Sequence, residues 1–253
     1  MEAMAKKKSP EDEGGSKPLP KPPSFDQKKA KMYQEILSSV SHDLKTPLAT
    51  VIGSLEVHDR MKHRLPADKS DELIAAALQE AYRLDSFFTN IIDIFRIENG
   101  LVKVKKEACD LEMLLRDCAD KYRYRIKGNS ISCFFPSPLQ TCHTDPVLVC
   151  RILGLLIDNA IRYAGNPPVV SLAARQEGRK AIITVSDNGL GIPLGRKNQI
   201  FSKYTRLKHG DNRNAGTGLG LTISKGLTRL LKGTIDVSNS TSGGAVFTII
   251  IPI

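Results

Sequence analysis

The sequence predicts an α+β protein in which a helical hairpin is followed by an α/β sandwich. The hairpin is predicted because apolar residues before Gly100 repeat with the spacing of a coiled coil. The sandwich is predicted because short β-like runs alternate with helical patterns after Gly100. This alternation favours a mixed sheet that helices cover on one face.

The composition favours a globular protein with two small domains. The chain has 253 residues, of which 41% are apolar and 25% charged. No apolar run approaches about 18 residues and no signal-peptide pattern opens the chain, so we expect a cytoplasmic protein or the cytoplasmic portion of a longer membrane protein. The five cysteines never form a CxxC pair, which favours reduced packing residues over a zinc site.

The net charge of +10 raises the question of nucleic acid binding. The basic residues are scattered, and no stripe of aromatic and basic residues accompanies them. We therefore expect no nucleic acid partner. The charge is better suited to acidic partners.

The first helix, expected over 25–64, carries a candidate nucleophile. It follows residues 1–24, whose lysines, glycines and prolines predict a disordered or linker segment. His42 points away from the apolar seam of this helix, and a water-facing imidazole is largely neutral and nucleophilic at cellular pH. Asp43 can accept the proton of one ring nitrogen, and Pro47 is expected to bend the helix just after the histidine.

The second helix, expected over 69–99, has the most regular pattern in the chain. Its seam residues are spaced alternately by three and four: Ile74, Ala77, Ala81, Leu84, Phe88, Ile91 and Phe95. One antiparallel helix pair has too little surface to bury two such seams. We therefore expect a homodimer that forms a four-helix bundle, with a hairpin packed on the second domain of the same chain as the alternative.

The second domain, residues 101–253, is predicted from β-like runs and helical patterns. The runs are 102–104, 131–135, 169–174, 181–186, 234–237 and 246–251, and the helices are 111–119, 145–164 and 218–231. Near the end of the middle helix, Asn159 offers an oxygen ligand suited to Mg²⁺. Arg162 could reach a phosphate and Tyr163 an aromatic base, although a lone asparagine there is more often a helix cap.

Two glycine-rich loops follow. In the first, Asp187 at a strand end can accept from an exocyclic amine, while Gly189 and Gly191 let the backbone approach a flat base; a plain turn is the alternative. The second loop comprises Gly216, Thr217, Gly218, Leu219 and Gly220, and it leads into a helix whose N-terminus can hold phosphates. Its spacing is neither that of a Rossmann fingerprint nor that of a P-loop.

A basic segment precedes the second loop and has the character of a mobile lid. Its cations, Lys203, Arg206, Lys208 and Arg213, are candidates to neutralise triphosphate charge.

Taken together, these motifs resemble the ordered motifs of a sensor histidine kinase catalytic core. They are the box Ser41 to Leu48, the Asn159 helix, Asp187 to Gly191, Phe201 and the loop 216–220. That family has a Bergerat-type ATP fold, shared with gyrase, Hsp90 and MutL, and the resemblance covers residues from about 30 to 253.

The resemblance implies ATP and Mg²⁺ as cofactors. It implies that Asn159 binds Mg²⁺, that Asp187 contacts the adenine amine and that Tyr163 flanks the base. His42 would attack the γ-phosphate and then pass the phosphoryl group to an aspartate on a response regulator receiver domain. Thr46, one helical turn after His42, would orient water for dephosphorylating the regulator, as in similar families.

One position departs from the family pattern. The family often has a second asparagine four residues before the Mg²⁺ ligand, whereas this chain has Leu155. A leucine binds neither metal nor phosphate. A degenerate Bergerat-fold protein that acts as a histidine phosphotransfer or scaffold module is therefore the alternative, and a gyrase-type ATPase would not need the box around His42.

Overall fold

The computed structural model describes residues 44–61, 64–123, 131–205, 217–241 and 243–253. The chain divides into two compact units, 1–46 and 47–253, of which the first contributes only residues 44–46 to the description. The predicted linker 1–24, together with His42 and Asp43, lies outside the described residues.

Two helices open the described chain. Residues 44–61 are helical (α1), and α2 spans Ala67–Glu98, within two residues of its predicted bounds. Across the turn between them, Ser70 Oγ lies 3.0 Å from His58 Nδ1. At the other end of α2, the Asn99 side-chain amide donates to the Phe95 carbonyl at 2.7 Å and so satisfies one of the last carbonyls of the helix.

The rest of the chain forms a mixed sheet with helices, as predicted. The elements are β1 Glu107–Cys109, α3 Leu111–Arg123, β2 Ile131–Phe134, β3 Cys142–Thr144, α4 Pro146–Tyr163, β4 Val170–Glu177, β5 Lys180–Asp187, α5 Gly220–Leu230, β6 Thr234–Asn239 and β7 Ala245–Pro252. The main sheet has the order β2-β4-β5-β7-β6. Only β2 and β4 in it are parallel, and β1 pairs with β3 in a separate antiparallel ribbon.

The core lies between this sheet and the helices. Every second residue of β7 is buried, and α4 is buried along most of its length. The start of α4 is fixed by Asp145, whose Oδ1 accepts from the Leu148 amide at 3.0 Å, and by Pro146 in the first turn. These two residues fix where α4 begins.

One predicted strand is wrong. Residues 102–104 form no strand, although Val102 and Val104 alternate with lysines. The segment is instead held by a side-chain contact, because the Lys105 amide donates to Asp145 Oδ2 at 2.7 Å. The strand forms a few residues later, in β1, where β3 supplies a partner.

Candidate nucleotide site

A cavity of about 840 Å³ collects residues from α2, α4, the end of β5 and the start of α5. The predicted site residues that line it are Asn159, Arg162, Tyr163, Asp187, Gly191, Thr217, Gly218 and Gly220. These residues come from three motifs that lie far apart in the sequence. The fold therefore brings together the helix end and the two glycine loops.

Asp187 is the buried carboxylate of the cavity. Its side chain is 8% exposed, and Oδ1 accepts from the amides of Gly189 at 2.8 Å and Ala245 at 3.2 Å. Burial raises the pKa of Asp187, while these two backbone hydrogen bonds act to lower it. The two bonds fix the orientation of the carboxylate, and a carboxylate oxygen at a cavity wall can accept a hydrogen bond from an amine.

Gly189 allows the loop after β5 to pack directly on the end of α4. A Cβ atom at this position would collide with the Tyr163 carbonyl oxygen. The adjacent Asn188 fastens the same loops together, because its Oδ1 accepts from the Gly165 amide at 3.0 Å and the Val169 amide at 2.9 Å. This wall of the cavity is therefore held by close packing and hydrogen bonds that involve backbone groups.

The end of α4 presents its polar side chains to the cavity. Asn159 and Arg162 line it beside Tyr163, which is 42% exposed. The C-cap of α4 is Ala164, so the alternative that Asn159 serves as a helix cap is excluded. An amide oxygen and an aromatic ring thus stand one helical turn apart at the cavity wall.

The N-terminus of α5 forms another part of the wall. Leu219 occupies its N-cap position and makes no side-chain cap hydrogen bond, while Gly220 and Leu221 line the cavity. Gly218 has φ +69° and the Tyr204 carbonyl carbon would lie 2.9 Å from an added Cβ, so glycine is required there. Uncapped backbone amides at a helix start can donate hydrogen bonds to an anion.

Two family models match the chain. Residues 144–253 match the histidine kinase-, DNA gyrase B- and HSP90-like ATPase, and residues 32–100 match the His Kinase A (phospho-acceptor) domain. The chain carries the catalytic core of a sensor histidine kinase. Its helical phosphoacceptor region is followed by the α/β sandwich that the sequence predicts.

Relatives of this histidine kinase core are longer proteins. The sensor protein KdpD of Escherichia coli K12 is 32% identical over 221 residues, which cover 86% of this chain and 24% of KdpD. The structure of full-length ShkA in complex with AMPPNP has a TM-score of 0.63 and 25% identity, covering 86% of this chain and 45% of that one. The chain spans about a quarter to a half of the curated relatives that it matches.

A third comparison concerns the fold alone. The complex of histidine kinase ThkA with response regulator protein TrrA matches with a TM-score of 0.68 at 20% identity, covering 90% of this chain and 64% of that one.

Within the described part of the histidine kinase chain, no helix combines the length and the apolar character that crossing a membrane requires.

Not every predicted site residue lies at the cavity. Gly189 and Leu219 stand directly beside lining residues without lining it themselves, and Thr46 lies on the exposed side of α1. His42, Asp43, Arg206 and Gly216 lie outside the described residues, as do Lys208 and Arg213. Lys203 is placed elsewhere, in an ion pair with Glu98 at the end of α2.

The contribution of α2 to the cavity wall was not predicted from the sequence. Residues of α2 line the cavity from Ala75 to Asn90, which is about four helical turns. Arg151 of α4 holds this helix, because its Nε donates to Asp93 Oδ2 at 2.7 Å and its Nη2 to Asn90 Oδ1 at 2.8 Å. Polar residues in the last third of α2 were the available signal for this contact.

Leu155, the departure from the family pattern, is an apolar member of the same wall. It is 6% exposed, lines the cavity and has its Cδ2 atom 3.7 Å from the Cβ position of Gly220. The side chain therefore supports the first turn of α5 by packing. It adds no polar ligand at a position where the family often has one.

Proposed function

We propose that this chain is an ATP-dependent histidine kinase that phosphorylates itself on His42 and passes the phosphoryl group to an aspartate of a response regulator. The observation that carries the proposal is the cavity, in which the Asp187 carboxylate, the Asn159 amide and the α5 N-terminus meet. The family matches support it, because they put an ATPase domain and a phosphoacceptor domain on one chain. Its site of action would be the cytoplasm, alone or as part of a membrane sensor.

The residues of the cavity divide the work of holding ATP. Asp187 accepts from the adenine amine, Tyr163 flanks the base, and the backbone from Gly216 to Gly220 donates to the phosphates. Arg162 adds positive charge, and Lys203 and Arg206 would do the same if the Lys203–Glu98 ion pair opens. Binding is thus mainly a matter of orienting the γ-phosphate.

The donors at the cavity suit Mg²⁺ better than a transition metal. Among the described residues no group of three or more histidine, cysteine, aspartate or glutamate side chains could hold a metal, whereas the Asn159 amide is a hard oxygen donor at the wall. Asn159 would hold the ion together with phosphate oxygens and waters. Mg²⁺ would supply neutralisation of the phosphate charge.

The transfer step belongs to the hairpin, residues 25–100, and the donor site to residues 101–253. Asp43 holds a proton on one nitrogen of His42, so that the other nitrogen attacks the γ-phosphorus. A nitrogen–phosphorus bond forms as the bond to the bridging oxygen breaks, and ADP leaves with that electron pair. The receiver aspartate then takes the phosphoryl group from the histidine.

The exposed seam of the hairpin supports a homodimer. The seam residues Ile74, Phe88 and Phe95 are 41%, 51% and 55% exposed, and Leu48 and Leu55 of α1 are 48% and 46% exposed. Packing α2 on the second domain of its own chain leaves these residues uncovered, which argues against the intrachain alternative. A second copy would bury them in a four-helix bundle.

The experiment for this proposal is incubation with γ-labelled ATP and Mg²⁺. We expect a label that is acid-labile and alkali-stable, that is absent from His42→Gln and that remains in His143→Gln, a control at an exposed histidine of β3. Absence of label in the folded wild type would contradict the proposal. ATP hydrolysis without label would instead identify a gyrase-type ATPase.

Thr46 carries the proposed regulator phosphatase activity. Thr46→Ala should reduce the dephosphorylation of a phosphorylated regulator by roughly tenfold or more, because a water-positioning hydroxyl is lost. Self-phosphorylation should be unchanged. Thr50→Ala, one turn further along α1, is the matched control, and an unchanged dephosphorylation rate in Thr46→Ala would refute this role.

Leu155 favours the second candidate, a degenerate protein that acts as a histidine phosphotransfer or scaffold module. Its apolar side chain removes one polar ligand from the cavity wall. A phosphotransfer module would accept a phosphoryl group on His42 from a phosphorylated receiver and would bind no ATP. Titration with a fluorescent ATP analogue separates the two candidates.

A further inference from the structure

Two thiols meet at the contact between α3 and α4. Cys118 of α3 and Cys150 of α4 lie 32 positions apart in the sequence, and their Sγ atoms are 2.9 Å apart. Cys118 is 3% exposed and Cys150 is half-buried, so one thiol is enclosed while the other is within reach of solvent. Neither takes part in the proposed kinase chemistry.

The two sulfur atoms lie close enough for oxidation to join them in a disulfide. A disulfide has an S–S length of about 2.05 Å, so closure requires the two sulfur atoms to approach by only about 1 Å. The pair is therefore placed for intramolecular oxidation.

The hydrogen bond between the two thiols shifts their pKa values in opposite directions. It lowers the pKa of Cys150 to about 7 and, with burial, raises that of Cys118, which makes Cys150 the more acidic of the two thiols. Near neutral pH a large fraction of Cys150 is therefore thiolate, which is the form that reacts with oxidants. The half-buried thiol is also the one that an oxidant can reach.

The other three cysteines are less suited to this chemistry. Burial raises the pKa of Cys109 to about 11 and also raises the pKa values of Cys133 and Cys142. The Cys142 thiol donates to the Cys109 carbonyl oxygen at 3.6 Å across the β1–β3 ribbon. These thiols are therefore expected to stay reduced under mild oxidation.

We propose that Cys118 and Cys150 form an oxidisable site, which a peroxide converts into a disulfide between α3 and α4. The Cys150 thiolate attacks one peroxide oxygen and displaces hydroxide, which gives a sulfenic acid. The Cys118 sulfur then attacks the Cys150 sulfur; the S–S bond forms, the S–O bond breaks, and the hydroxyl group leaves as water with the Cys118 proton. The two thiols lose two electrons, and the peroxide takes them up.

The test treats the reduced full chain with hydrogen peroxide near neutral pH. We expect two fewer free thiols, a loss of the mass of two hydrogen atoms, and a linked peptide that holds Cys118 and Cys150. Dithiothreitol should reverse the change. The linked form should also melt higher, by roughly 5 °C or more, because the bond restricts the unfolded chain.

Matched variants assign the bond to this pair. Cys118→Ser should stop at a sulfenic acid on Cys150 that dimedone traps, Cys150→Ser should show no mass loss, and Cys133→Ser should behave as the wild type. Five free thiols after a dose that oxidises free cysteine would overturn the proposal. So would a bond that joins Cys109 to Cys142 or that links two chains.

Discussion

The two sides of the cavity are held by different kinds of contact. The side formed by β5 and the loop after α4 is fixed by backbone groups, with amides donating to Asp187 and with Gly189 packed against Tyr163. The side formed by α2 is held by side chains, chiefly Arg151 with Asp93 and Asn90. Because the two sides depend on different contacts, we expect that the contact with α2 can be weakened while the wall around Asp187 stays intact.

The largest effect is expected from Asp187→Asn on the fixed side. An amide in place of the oriented carboxylate presents the wrong group either to the Gly189 amide or to the adenine amine. We expect a loss of ATP affinity of roughly 100-fold, about 3 kcal/mol. Asp236→Asn on β6 is the control, and isothermal titration measures both; equal affinities in the two variants would remove Asp187 from the binding site.

Gly189→Ala should damage the same side through packing. The added methyl group would collide with the Tyr163 carbonyl oxygen, so we expect a loss of about 2 kcal/mol in the free energy of unfolding. Gly53→Ala is the matched control, because nothing lies within 4 Å of its added Cβ and alanine favours a helix. Denaturant unfolding decides the point: a Gly189→Ala protein as stable as wild type would contradict the close approach.

Arg151→Met should weaken the α2 side alone. The ion pair with Asp93 is partly exposed, at 32% and 21% of the two side chains, so its loss should cost only about 1 kcal/mol. Amide exchange in the last two turns of α2 should speed up severalfold while ATP affinity changes less than about twofold. Arg175→Met, which removes an exposed pair on β4, should change neither, and a matching loss of ATP affinity in Arg151→Met would show that the two sides are not independent.

The smallest effect is a pH dependence at Asp187. Its pKa is raised above the ordinary 3.8, so the folded state favours the protonated form. This contribution to stability is fully present below pH 3.8 and is lost as the pH rises through the raised folded-state pKa. The free energy of unfolding of the wild type, relative to that of Asp187→Asn, should fall as the pH rises across that window. A rise would contradict the raised pKa of Asp187.

Local patterns predicted the elements that are long or strongly periodic. The seam of α2 was predicted because its apolar spacing continues for many turns, and β5 because most of its residues are apolar or β-branched. The three-residue strands β1 and β3 were missed, since only their mutual pairing makes them strands. A strand at 102–104 was wrongly predicted because this run has the alternation of a strand but no neighbouring strand to pair with.

The candidate site could be predicted from the sequence where its residues are close neighbours along the chain. Asp187 and the glycines after it share one short motif, and the helix that carries Asn159 also carries Tyr163. Contacts that join distant residues had no such signature. The Lys203–Glu98 ion pair and the Cys118–Cys150 pair exist only because the fold brings separate helices and loops together.

The central claim is that one chain holds a phosphoryl donor site and a separate acceptor histidine. It is tested most directly by measuring ATP affinity and covalent label together in His42→Gln. We expect this variant to bind ATP as tightly as the wild type and to take up no phosphoryl group. A label that persists in His42→Gln, or an ATP affinity that is lost with the histidine, would contradict it.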